Sequence, residues 1–104
     1  MITDARDGAE TALCGIKVRV ARSLRSRLKG LIGEPPPPPG EGLLIMGCNA
    51  IHTFFMRYPI DALFLDSSGA PVKRIRGIKP WRPLVWGGFG ARAVIEIASE
   101  GGGK

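Results

Sequence analysis

Cysteine is scarce in this chain. Cys14 and Cys48 are the only two in 104 residues, and neither belongs to a Cys-x-x-Cys pair. That excludes a disulfide framework and a zinc knuckle as the basis of the fold. Long apolar runs are missing too, and no stretch reaches the ~20 residues a membrane-spanning helix needs. The start, Met1-Ile2-Thr3-Asp4-Ala5-Arg6-Asp7, has neither the basic cluster nor the apolar core of a secretory signal. These features read as a cytoplasmic chain with reduced thiols, although a chain trimmed of an export signal would look the same. There is no phosphate-cradling glycine loop, metal motif or oxyanion device. Gly87-Gly88 is too short a glycine run and follows no strand–helix unit. No cofactor and no metal is therefore expected.

Acids are absent where cations gather. Six cations and no acid lie between Lys17 and Lys29, and six more between Lys73 and Arg92, within a net charge of +6. If the two blocks share a face, they attract an anionic partner such as phosphate, nucleic acid or acidic lipid. The plainer reading is a solvated basic surface.

What is present suits one small domain. The chain is 44% hydrophobic and 23% charged, ordinary for a globular protein, and long enough for one core. Fifteen glycines and nine prolines imply many turns. Residues 1–12 read as a frayed N-terminus, 13–99 as a single β-rich domain and 100–104 as a flexible tail. Ile16, Val18 and Val20 alternate with Lys17 and Arg19, which predicts a half-exposed strand over Leu13–Ala21. Ser23 is a plausible N-cap for one short amphipathic helix carrying Leu24, Leu28 and Leu31 on one stripe. Pro35 to Pro39 is an extended connector of roughly 15 Å at about 3.1 Å per residue. Leu43–Met46, Ile51–Met56 and Ile60–Leu65 read as strands, the last two apolar on both faces and so central. Asp66-Ser67-Ser68-Gly69 has the residues of a turn closing a hairpin onto Val72–Ile78, a basic strand suited to an edge. Ala91–Ala98 is a final strand. The fold expected is mainly β: a small antiparallel barrel or sandwich of six to seven strands, with the segments around Phe54 and Phe64 side by side at its centre.

Four pieces of sequence then fit together: Arg27-Leu28-Lys29-Gly30-Leu31; Cys48-x-x-x-His52-Thr53-x-x-Met56; Ile60-Asp61-x-x-Phe64-Leu65-Asp66 with Gly69; and Val94-Ile95-Glu96-Ile97 with Gly101. In this order and spacing they resemble domain-of-unknown-function family 192. The resemblance implies a compact, mostly β, barrel-like domain and no established activity. Many relatives look exported, a trait with no counterpart here. Arg57-Tyr58-Pro59 departs from the Lys-Asn-Thr that others carry.

The candidate site residues come from these pieces. Cys48, His52 and Asp61 would make a small hydrolase-like centre if the carboxylate oriented the imidazole and the imidazole reached the thiol. Direct opposition of His52 and Asp61 would centre the turn between Met56 and Arg57, earlier than Pro59 suggests. The plainer reading has Asp61 accepting backbone N–H bonds, His52 bonded to a carbonyl and Cys48 as a small buried thiol. His52, Met56, Trp81 and Trp86 are candidates to frame a ligand pocket. Arg27 and Glu96 are candidates for a buried structural pair. The function expected is a non-catalytic domain binding an unknown ligand or protein partner. The enzyme and, more weakly, a nucleic-acid binder are the alternatives.

Overall fold

The computed structural model describes residues 6–23, 27 and 29–99. Eight strands follow one another along the chain: β1 (Glu10–Leu13), β2 (Ile16–Ala21), β3 (Glu41–Met46), β4 (Ala50–Ile51), β5 (Ile60–Leu65), β6 (Pro71–Ile78), β7 (Val85–Trp86) and β8 (Ala93–Ala98). Six of them form one sheet in the order β1-β2-β3-β8-β5-β6, and β4 pairs with β7 apart from it.

The mainly β class is as expected, but the architecture differs in four respects. Glu10–Leu13, expected within a frayed N-terminus, is a strand paired with β2. The single strand expected over Leu13–Ala21 is instead interrupted by a tight turn. Cys14 and Gly15 take φ of 55° and 77°, the paired positive φ that a two-residue hairpin loop requires. The sheet is not purely antiparallel, because β2 and β3 run parallel, Lys17 opposite Glu41 through Ala21 opposite Ile45. Parallel neighbours need a crossover rather than a hairpin, and residues 22–40, proline run included, supply it. Finally, no closed barrel forms among the described residues, since β1 and β6 end the sheet. The sheet does curl, and the Cys14 thiol lies 4.0 Å from the Gly69 carbonyl, bringing the β1–β2 turn to the β5–β6 turn.

The helix expected after Ser23 falls largely outside the described residues, which omit Leu24, Arg25, Ser26 and Leu28. Among the described residues the Arg27 N–H donates to the Ser23 carbonyl at 3.0 Å. Leu31 is buried against the sheet.

β8 is central, flanked by β3 and β5, and alternates between two cores. Val94 joins Leu43, Ile45, Ile60, Ala62 and Phe64 on one face. Ala93 and Ile95 join Val18, Val20, Leu44 and Leu65 on the other. A strand buried on both faces is apolar at every position, which is why β5 reads as a continuous run. The expected β5–β6 hairpin forms, with the Asp66 carboxylate accepting the Ser68 and Ala70 N–H groups at 2.9 and 3.0 Å. β6 is an edge strand, with Lys73, Arg74 and Arg76 exposed.

The strand expected over Ile51–Met56 ends after Ile51. Phe55 takes a φ of 66°, which no strand accommodates. Phe54 and Phe55 are therefore exposed, at 37% and 62%, while Phe64 is fully buried. The central position expected for both segments holds for Phe64 and fails for Phe54. Among the described residues no helix is long and apolar enough to cross a membrane.

Candidate functional site

On the Phe64 face of the sheet the covering segments leave a cleft of about 240 Å³. Its floor is Ile45 of β3 and Glu96 of β8. Its walls come from Arg27, Lys29 and Leu31 on one side and from Cys48, Ile51 and Met56 on the other. The lining is largely aliphatic, with Leu31, Ile51 and Met56 shared with the core.

Arg27, Lys29, Cys48, His52 and Glu96 break that apolar lining. Strand alternation aims Glu96 the same way as Val94, and the residue is only 4% exposed. Its carboxyl has no hydrogen bond or ion pair among the described residues. Burial pushes its pKa up to about 7. Arg27 is half-buried, and its Nη1 donates to the Met46 carbonyl at a long 3.3 Å. Its Nε is buried without a partner. The structural pair expected between Arg27 and Glu96 is not made, as neither ion pair found among the described residues joins them. Both groups instead face the cleft.

Glycines make room for them. A side-chain carbon on Gly47 would meet Arg27 Nη1 at 2.8 Å, and one on Gly30 would meet Glu96 Oε1 at 3.3 Å. Both glycines take positive φ, 65° and 53°, so sterics and backbone agree on the residue.

Of the three residues of the hydrolase-like centre, the cleft brings together two. Cys48 and His52 line it and Asp61 does not. Asp61 sits at an irregularity of the β5–β6 ladder, where its carboxylate accepts the Gly77 N–H at 2.8 Å. That is the plainer reading of Asp61, an acceptor for a backbone donor freed from the ladder. His52 Nδ1 accepts the Phe54 N–H at 3.1 Å, a local turn contact rather than a bond to a carbonyl or to Asp61. The Cys48 thiol donates to the Ala50 carbonyl at 2.8 Å. Burial pushes the thiol above its usual range, and nearby Glu96 adds to the rise. A nucleophile needs the opposite shift. Among the described residues no group of three or more His, Cys, Asp or Glu is placed to hold a metal ion.

Of the four residues expected to frame a pocket, His52 and Met56 line the cleft, while Trp81 and Trp86 stand outside it. Trp81 continues an exposed aromatic row. His52 lies 5.2 Å from Phe54, Phe54 6.1 Å from Trp81 and Phe55 4.9 Å from Trp81, ring centre to ring centre. Trp86 packs edge-on against Phe89 at 4.8 Å. Trp81, like Phe55, holds a positive φ, 69°. Such a conformation is costly for a bulky residue and is kept only where the surroundings impose it.

The residue that imposes it is Thr53, a member of the second motif and of the segment Ile51–Met56 expected as a strand. It is 1% exposed. Its hydroxyl donates to the Lys79 carbonyl at 2.7 Å and accepts the Arg82 N–H at 2.8 Å. Its own carbonyl accepts the Trp81 N–H at 2.8 Å. The His52-Thr53 dipeptide of the second motif was the available signal. Thr53 clips the loops together, and His52 stands beside it at the cleft mouth.

Solved structures share this fold. A protein described as a candidate transcription regulator, from Sinorhizobium meliloti 1021, superposes with a TM-score of 0.73 at 20% identity, over 81% of this chain and 69% of its own. A protein of unknown function from Novosphingobium aromaticivorans DSM 12444 gives 0.72 at 15% identity, over 95% of this chain and 86% of its own. At such identities the likeness is one of fold alone. No curated protein matches the chain. The family model DUF192, described as an uncharacterised ACR, matches residues 5–101. All four sequence pieces lie within that span, three of them contributing residues to the cleft, and the chain belongs to the DUF192 family.

Proposed function

We propose that this domain is a non-catalytic binding module whose ligand occupies the cleft between Arg27 and Glu96. The observation that carries this reading is Arg27 Nε, buried without a partner beside a largely aliphatic cleft whose floor holds the buried Glu96 carboxyl. A buried donor or acceptor that lacks a partner costs roughly 1–3 kcal/mol, more when charged. A ligand that supplies the missing contacts recovers that cost on binding. His52 and the exposed Phe54, Phe55 and Trp81 row extend the recognition surface from the cleft mouth. A reducing compartment suits the chain, whose Cys14 and Cys48 are both free thiols.

The test is a fragment screen followed by backbone amide NMR. Shifts clustering on Gly30, Gly47, Cys48, His52 and Glu96 are the expected result. A screen whose hits perturb only the aromatic row or nothing at all removes the cleft from consideration.

One observation favours a second reading. Lys73, Arg74 and Arg76 stand exposed along the edge strand β6, where they suit an anionic partner such as nucleic acid. Binding to an oligonucleotide that weakens steeply between 50 and 200 mM salt, as expected for several phosphate contacts, would favour it. Salt-insensitive binding would not.

A further inference from the structure

The same two groups narrow the chemistry of the ligand. The Arg27 guanidinium is permanently charged, yet no carboxylate lies within ion-pairing distance of it among the described residues. Lys29, the other cation at the cleft, is engaged by Glu34 at 2.7 Å. The site thus offers one uncompensated positive charge. Glu96 is buried in the cleft floor, and burial favours its neutral carboxyl, whose O–H is a donor. A phosphate dianion would face a single unpaired cation among the described residues, a poor match. An amine would have to sit beside an unpaired guanidinium.

We propose that the cleft takes a small monocarboxylate, with the Arg27 guanidinium and the Glu96 carboxyl as its donors and Leu31, Ile45 and Met56 against its apolar body. The proposal rests on the cleft being the binding site, and it adds the ligand's charge and size. Gly30 and Gly47 keep the space beside the two donors clear, and about 240 Å³ suits a short chain rather than a fatty acid.

Binding couples to protons at Glu96. The ionisable groups near Glu96 are Cys48, at the cleft, and Tyr58, from the loop before β5, with Arg27 lining the same cleft; its strand neighbours Leu43 and Ala62 are uncharged. Burial pushes the Cys48 and Tyr58 pKa values above their usual ones, so both stay neutral through pH 8. Lys29 and His52 are the remaining ionisable side chains of the cleft lining; Lys29 is paired with Glu34, and H52Q controls for His52.

The experiment is calorimetric titration with butyrate, butyramide and butylamine at pH 6 and pH 8, alongside NMR of the Arg27 Nε–H. Butyrate is expected to bind at least tenfold tighter than the other two and to shift the Nε–H resonance. Its affinity falls about tenfold from pH 6 to pH 8, as the neutral fraction of Glu96 does. The slope survives in H52Q and vanishes in E96Q, whose amide still donates. R27M loses at least tenfold. The Nε–H signal of the unaltered protein keeps the test decisive if R27M does not fold. Preference for butylamine or butyramide at the cleft, or butyrate binding that leaves Nε–H unmoved, overturns the monocarboxylate while leaving the binding module in place. Failure of all three, together with a fragment screen that never touches the cleft, overturns both.

Discussion

Thr53 and Arg82 hold each other by two hydrogen bonds: the Thr53 N–H donates to the Arg82 carbonyl at 2.9 Å, and the Arg82 N–H donates to the Thr53 hydroxyl at 2.8 Å. With the Lys79 carbonyl as a third partner, this buried threonine satisfies backbone groups of a loop 26 residues further along the chain. Thr53→Val keeps the shape and removes the hydroxyl. It leaves the Arg82 N–H and Lys79 carbonyl short of a partner, and should cost about 1–3 kcal/mol in chemical denaturation. Because Trp81 hangs from the same clip, its fluorescence should red-shift in native buffer. An unchanged spectrum and midpoint would show that the clip is dispensable.

Glu96 makes stability depend on pH with a definite sign. Its folded pKa is raised from the usual 4.5 to about 7, so the folded state holds a proton that the unfolded state releases. Its contribution is full below pH 4.5 and is lost as pH rises through 7. The difference amounts to about 3 kcal/mol for this group alone. Glu96→Gln should therefore gain on the unaltered protein between pH 5 and pH 8. Parallel pH–stability curves for the two proteins would contradict this.

Gly87 lies against the ring of Phe64, where a side-chain carbon has no space. Phe64 is fully buried and cannot retreat. Gly87→Ala should destabilise by about 1–3 kcal/mol or more. Gly90→Ala meets no neighbouring atom within 4 Å and is the matched control, expected within about 0.5 kcal/mol of the parent. Equal thermal midpoints for the two variants would refute the packing account.

The two thiols should differ in reactivity. Cys14 is exposed in the β1–β2 turn, while Cys48 is half-buried, donates to Ala50 and is pushed towards its neutral form by burial. At pH 7.5, iodoacetamide should label Cys14 first, with Cys48 trailing by at least tenfold in peptide mass spectra. Faster labelling at Cys48 would revive the hydrolase-like alternative.

Legibility in the sequence follows the range of the interactions involved. β5 was legible because a strand buried on both faces needs apolar residues throughout, and Ile60 to Leu65 provides them. The Asp66–Gly69 turn was legible because its chemistry lies within four residues. Ile51–Met56 misled for the same reason that β5 did not, since an apolar run records burial or stickiness without saying which. Phe54 and Phe55 are turned outward by hydrogen bonds from Thr53 to Lys79 and Arg82, partners too distant in the chain for any local pattern to reveal. Arg27 and Glu96, candidates for a pair in the sequence, both line the cleft without an ion pair between them, and only the packing of Gly30 and Gly47 beside them shows why the space stays open.

The sequence by itself determined the β class, the β5–β6 hairpin, the basic edge and the family, because periodicity, turn residues and motif spacing are properties of neighbouring positions. Tertiary structure alone decided the parallel β2–β3 pair, the open curl of the sheet, the exposed aromatic row and the cleft. Each of these depends on which distant segments meet, and the free energy of those meetings is shared among residues no local pattern links.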